Sequence, residues 1–173
     1  MPIDMEQVKA ALDPEEPDYA KAAKQLGADA LPHLEKIIGG SDTSLAAKAT
    51  YLAGLIGGDR SVPAVAKAAR STQAVVRIAA AAAAAHLPAQ HSDTVLLQLV
   101  DDADHGVQKL AMRSAPAAMS DALRARVNSL QAAFAAAATP VKPQRAGQAM
   151  AAKKAKATKK AKPAKKAKRK KTR

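Results

Sequence analysis

The chain has 173 residues, with 28 Lys and Arg against 15 Asp and Glu, a formal charge of +13. It contains no Cys, which excludes disulfides, thiolate nucleophiles, Cys-ligated zinc and iron–sulfur clusters. Leu, Ile, Val and Phe make up 30 of 173 residues, under the roughly 20% at which a highly charged chain is suspected of disorder.

Alanine fills the difference with 46 residues. It favours helix above all other residues yet buries little surface, so the composition points to an all-α chain. A β-rich enzyme and a large aromatic core are both disfavoured. The only aromatics are Tyr19, Tyr51 and Phe134.

In chain order, Met5–Leu12 reads as an acidic-leaning helix and Asp18–Leu26 as a degenerate partner to it. A repeat of 31 residues follows. Leu34, Val65, Leu96 and Val127 fall in register, as do Ile37, Ala68, Leu99 and Leu130. Leu45, Val76 and Val107 form a second set, and Ala49, Ala80 and Ala111 a third. Each unit splits into two helical pieces. The first pieces are Leu31–Ile38, Val62–Arg70 and Asp93–Val100, and the second are Thr43–Ile56, Gln73–Leu87 and Asp104–Ala115. Pro32 and Pro63 suit the first turn of a helix, where the missing N–H costs nothing. Ser61 and Ser92 stand where N-caps belong, and Asp42 and Asp104 are expected to cap the second helices. Gly39-Gly40 is expected to supply a left-handed residue after the first helix. Ser120–Ala138 reads as a last, capping helix.

Two short helices cannot bury both apolar faces alone, so neighbouring pairs must stack. The Leu31-Pro32-x-Leu34 and Val62-Pro63-x-Val65 starts, with Val75-Val76-Arg77-Ile78-Ala79-Ala80 in a second helix, resemble short HEAT repeats of the phycobilisome-lyase type. The resemblance covers about residues 18–137. It implies a short α-solenoid of three to four HEAT-like helix pairs over residues 1–138, whose expected role is to bind a protein partner. The third copy departs, with Thr94 in place of proline and Val107-Gln108 in place of Val-Arg.

No constellation expected to catalyse emerges, and no cofactor or metal is expected. His33, His86, His91 and His105 lack the adjacent His-Glu pairs that ligate iron in helical-repeat hydroxylases. Base capture between aromatics, as in HEAT-like DNA glycosylases, finds no Trp here. Gly39-Gly40-Ser41 and Gly57-Gly58-Asp59 lack the Gly-Lys-Ser/Thr of a phosphate loop. Asp101-Asp102-x-Asp104 lacks the glycine and glutamate of a calcium loop and reads as an acidic turn. On the body, Arg77 and Gln108 share a register position on the second helices, and Lys36 and Lys67 share one on the first. Arg124 and Arg126 lie on the last helix. Arg77, Arg124 and Arg126 are the candidate body contacts to nucleic acid.

The charge divides near Thr139-Pro140. Residues 1–139 hold 13 Lys and Arg against all 15 acids, a net of 13 − 15 = −2, whereas residues 140–173 hold 15 cations and no acid. Segment 139–173 has Val141 and Met150 as its only large apolar side chains, so it is expected to be a disordered basic tail. Lys160–Ala167 resembles the C-terminal tails of linker histones and of some bacterial nucleoid proteins. The expected phosphate-binding residues are Lys142, Arg145, Lys153, Lys154, Lys156, Lys159, Lys160, Lys162, Lys165, Lys166, Lys168, Arg169, Lys170, Lys171 and Arg173. DNA, or RNA, is the expected partner of this segment; an acidic protein or an anionic membrane surface is the alternative. Stable membrane insertion is not expected, because the longest apolar run, Ile78 to Ala85, falls short of the roughly 20 residues a span requires. The acidic Met1–Glu6 start does not read as a secretory signal. A cytoplasmic, nucleoid-associated protein is expected, or a nuclear one in a eukaryotic cell.

Overall fold

The computed structural model describes residues 3–138. The chain divides into two units, Met1–Ala138 and Thr139–Arg173, and the expected basic tail lies outside the described residues. The described residues are all-α, with nine α-helices and no strand among them. They are α1 (Met5–Leu12), α2 (Tyr19–Leu26), α3 (Leu31–Ile38), α4 (Thr43–Ile56), α5 (Val62–Ala69), α6 (Ala74–Ala84), α7 (Ala89–Val100), α8 (His105–Ser114) and α9 (Asp121–Ala138).

Side-chain carboxylates start most of the helices whose N-termini have a cap. Asp4 and Gln7 close a reciprocal capping box on α1, at 2.8 and 3.1 Å. Asp18 accepts from the Lys21 N–H on α2, and Asp42 from the Leu45 N–H on α4. Asp104 accepts from both Gly106 and Val107 on α8. Each such cap contributes about 1 kcal/mol.

The two serines behave differently from expectation. Ser61 sits buried in a 3₁₀ turn, Asp59–Ser61, and its hydroxyl donates to the Gly58 carbonyl at 2.8 Å instead of capping α5. Ser92 lies inside α7, because Pro88 already sets the chain for a helix that starts at Ala89. Its buried hydroxyl has no partner among the described residues. Gly39 ends α3 at φ −84°, so the expected left-handed residue is not there. That conformation falls at Gly57, at φ 69°, where it ends α4. Finally, α6 stops at Ala84, and N–H groups of Ala85, His86 and Leu87 bond three residues back, tightening the last turn before Pro88.

The helices stack in two rows. First helices α1, α3, α5, α7 and α9 pack each on the next, and second helices α2, α4, α6 and α8 do the same. Hairpins α3/α4, α5/α6 and α7/α8 join the rows. The 31-residue register is visible in the core: Leu34, Val65 and Leu96 are fully buried, as are Ala49, Ala80 and Ala111. Leu45 departs from it, half-buried while Ala46 takes the interior place. Among the described residues the core runs from Val8 to Val127, so the first unit has a hydrophobic core.

Contact is tightest between α4 and α6. A Cβ on Gly54 would lie 2.5 Å from the Ala83 Cβ and 2.7 Å from its Cα, so only glycine fits there. Next to it, buried Thr50 satisfies its hydroxyl by donating to the Ala46 carbonyl at 2.7 Å. Toward the N-terminal end, Tyr19 and Tyr51 meet edge to face with centroids 4.9 Å apart. Burial, and then the neighbouring Tyr51, raise the Tyr19 phenol above its ordinary value.

Gly54→Ala adds a methyl to a site with no room, against the helix propensity that alanine gains. Overpacking prevails, and urea unfolding at constant m-value should show a loss of about 1–3 kcal/mol.

Candidate nucleic-acid interface

The fifteen cations expected to bind phosphate, Lys142 to Arg173, lie outside the described residues. The three candidate arginines of the body, Arg77, Arg124 and Arg126, are described, and each is already engaged.

Arg77 sits in the first turn of α6. Its Nε and Nη2 donate to the two carboxylate oxygens of Asp102 at 2.6 and 2.9 Å, a bidentate fork. Its Nη1 donates to the carbonyls of Ser71 and Thr72, at 2.9 and 3.2 Å. The side chains of Arg77 and Asp102 are only 17% and 10% exposed. Asp102 also accepts from the Asp104 N–H, and its carbonyl accepts from the Gln108 amide. One guanidinium thereby ties the α5–α6 loop to the α7–α8 loop. A phosphate could reach Arg77 only by displacing Asp102.

Arg124 donates from Nη2 to the Met119 carbonyl at 3.2 Å, just before its own helix. Arg126 pairs with Asp101 at 3.0 Å, both side chains more than half exposed. Two residues apart on a helix, these arginines do not share a face. The structure therefore does not bring Arg77, Arg124 and Arg126 together into one phosphate-gripping patch.

Lys67 and Gln98 are turned to the stack as well. Lys67 on α5 donates to the Glu35 carbonyl of α3 at 2.9 Å, and 31 residues on, Gln98 of α7 donates to the Ala69 carbonyl of α5. These side chains satisfy helix C-terminal carbonyls across the repeat boundary. Lys67 and Arg70 line a polar cleft of about 730 Å³ at the α3–α4 and α5–α6 loops, which no histidine lines.

The histidines are dispersed. His33 donates from Nε2 to the Ile3 carbonyl at 3.0 Å, leaving its buried Nδ1 without a partner among the described residues. His105 donates from Nδ1 to the Gln108 side-chain oxygen. His91 lies 3.7 Å from Asp59, and His86 meets Tyr51 edge-on. Among the described residues no group of three or more His, Asp or Glu could hold a metal ion. No described helix is long and apolar enough to cross a membrane.

The Arg77–Asp102 fork was not foreseen from the acidic turn Asp101-Asp102-x-Asp104. Its only signal in sequence is an arginine in the first turn of an otherwise apolar second helix. No family model matches the chain, and no curated protein matches it.

The Arg77 hydrogen bond, foremost, holds the Asp102 carboxyl below its ordinary value. A lowered folded-state value gives stability that is complete above the unfolded carboxylate range near about 4 and is lost as pH falls through the folded value. Asp102→Asn should therefore unfold more readily than the parent at pH 7, with the difference shrinking in denaturant titrations taken into acid. Arg77→Met, which leaves Asp102 without its partner, should cost about 1–3 kcal/mol at pH 7.

Proposed function

We propose that this protein is a non-enzymatic, sequence-independent nucleic-acid-associated protein. Residues 140–173 bind phosphates, and the helical body is a HEAT-like platform that binds a protein partner. The observation that carries this reading is the charge partition: 15 cations without an acid over residues 140–173, against −2 over residues 1–139. Phosphate neutralisation by this segment releases condensed counterions, so affinity falls steeply with salt. Twelve of the fifteen cations are lysines, point charges that lack the bidentate fork used to read bases. No aromatic residue follows Phe134 to stack on bases. The engagement of Arg77 with Asp102 further supports assigning phosphate binding to the basic segment instead of the body. The segment's resemblance to linker-histone tails agrees with DNA as the polyanion and with a nucleoid-associated place in the cytoplasm, or a nuclear one in a eukaryotic cell.

Gel shifts and salt titrations of the full chain and of residues 1–139 test the proposal. If roughly 8 phosphates are engaged, the full chain should show a log–log salt slope of about −7 on duplex DNA. Removal of the segment should abolish most of the affinity and flatten the slope. Equal affinities for the two proteins overturn it, and so does preference for anionic vesicles over DNA in direct competition.

A further inference from the structure

Helix α6 reads Ala-Val-Val-Arg-Ile followed by six alanines, and Arg77 is its only polar side chain. A helix apolar all round belongs in an interior. Yet only one broad face of α6 is buried, through Val76, Ala80, Ala81, Ala83 and Ala84. Its other face carries Val75, Ile78, Ala79 and Ala82 at three- and four-residue steps. Ile78, Ala79 and Ala82 are half-buried, and Val75 is 48% exposed, the one large apolar side chain so exposed among the described residues. The polar side chain that a solvent-facing stripe would need, Arg77, is held by Asp102.

This second face opens onto an apolar cleft of about 590 Å³ across the second-helix row. Ala47 and Tyr51 of α4, Ala79 and Ala82 of α6 and Leu110 of α8 line it, with Tyr19 at the start of α2. Small alanines between larger side chains make a surface that accepts the ridge of another helix. Its rim is acidic. Lys48, which lines the cleft, donates to the carbonyls of Leu12 and Pro14 at 3.1 and 2.7 Å, and so pins the α1–α2 loop beside it. That loop exposes Asp13, Glu15 and Glu16, none of which forms an ion pair with another described residue.

We infer that this cleft is the docking site for a basic amphipathic helix of a partner protein. The partner's apolar stripe lies against Ala47, Ala79 and Ala82, and its Lys or Arg residues meet Asp13, Glu15 and Glu16. This names the surface and the partner chemistry of the platform proposed above, and it rests on that reading. The same acidic loop disfavours phosphates beside the cleft, so a basic helix is the occupant assigned and nucleic acid is not. Charge complementarity sets the preference between helices, and the apolar stripe supplies the area removed from water.

The test uses the full chain, freed of nucleic acid by nuclease. Two labelled synthetic helical peptides share one Ala/Leu face and carry either Lys or Glu on its flanks. The Lys-flanked peptide should bind at least about tenfold tighter than the Glu-flanked one. Val75→Gln, at an exposed position that tolerates change, should weaken it about tenfold. Glu15→Gln with Glu16→Gln should weaken it about threefold and reduce its salt dependence. All these variants should keep the DNA affinity and salt slope of the parent. Equal binding of both peptides, or binding indifferent to Val75→Gln, overturns the site. If the Lys-flanked peptide binds only after residues 140–173 are removed, the occupant is this chain's own basic segment, and the assignment to a separate partner falls. Loss of DNA binding on removing that segment with peptide binding intact supports both readings. Absence of peptide binding to the unsubstituted full chain and to residues 1–139 alike, with DNA binding intact in the full chain, sinks the cleft and leaves the phosphate mechanism standing.

Discussion

The close approach of α4 and α6 at Gly54 and Ala83 is the constraint on which the body depends. A chain with 46 alanines and 30 large aliphatic or Phe side chains has few carbons with which to fill space between helices. Small side chains stabilise a stack only when backbones come near enough for dispersion contacts to be complete. Gly54 permits that approach, and the alanine face of α6 completes it. From this position α6 touches α4 on one side and α8 on the other. The loops at its N-terminal end then come within reach of Arg77.

The polar contacts between repeats follow from the same closeness. Lys48, Lys67 and Gln98 each carry an amine or amide to a backbone carbonyl on another helix or its end. Arg77 does so with two carbonyls and a carboxylate at once. Cations engaged this way act as fasteners between hairpins. A body that is close to neutral and commits Lys48, Lys67 and Arg77 to such contacts agrees with the proposal that residues 140–173 bind phosphate.

Much of this body was legible in sequence, for reasons that are local. The 31-residue register located Leu34, Val65 and Leu96 because a stacked repeat must place equivalent large side chains at equivalent depths. Asp42 and Asp104 were readable as caps because cap chemistry acts within three residues. Ser92 was not, since whether a serine caps depends on where the helix begins, and Pro88 moves that point four residues upstream of Asp93. The Arg77–Asp102 fork joins residues 25 apart through two loops, and no local pattern announces it. The cleft was illegible for a different reason. Alanine reads the same whether it faces a core or solvent, so the second apolar face of α6 cannot be told from its first without the packing.

The edge-to-face pair of Tyr19 and Tyr51 has a practical corollary. These are the only tyrosines, and the chain has no Trp, so near-ultraviolet absorption and emission come almost wholly from α2 and α4. Helices α7 to α9 are optically dark apart from Phe134. Melting that begins at the far end of the stack escapes tyrosine emission and registers only in backbone circular dichroism. A mismatch between the two signals would report stepwise loss of repeats, a breakdown of the single cooperative transition that small domains usually show.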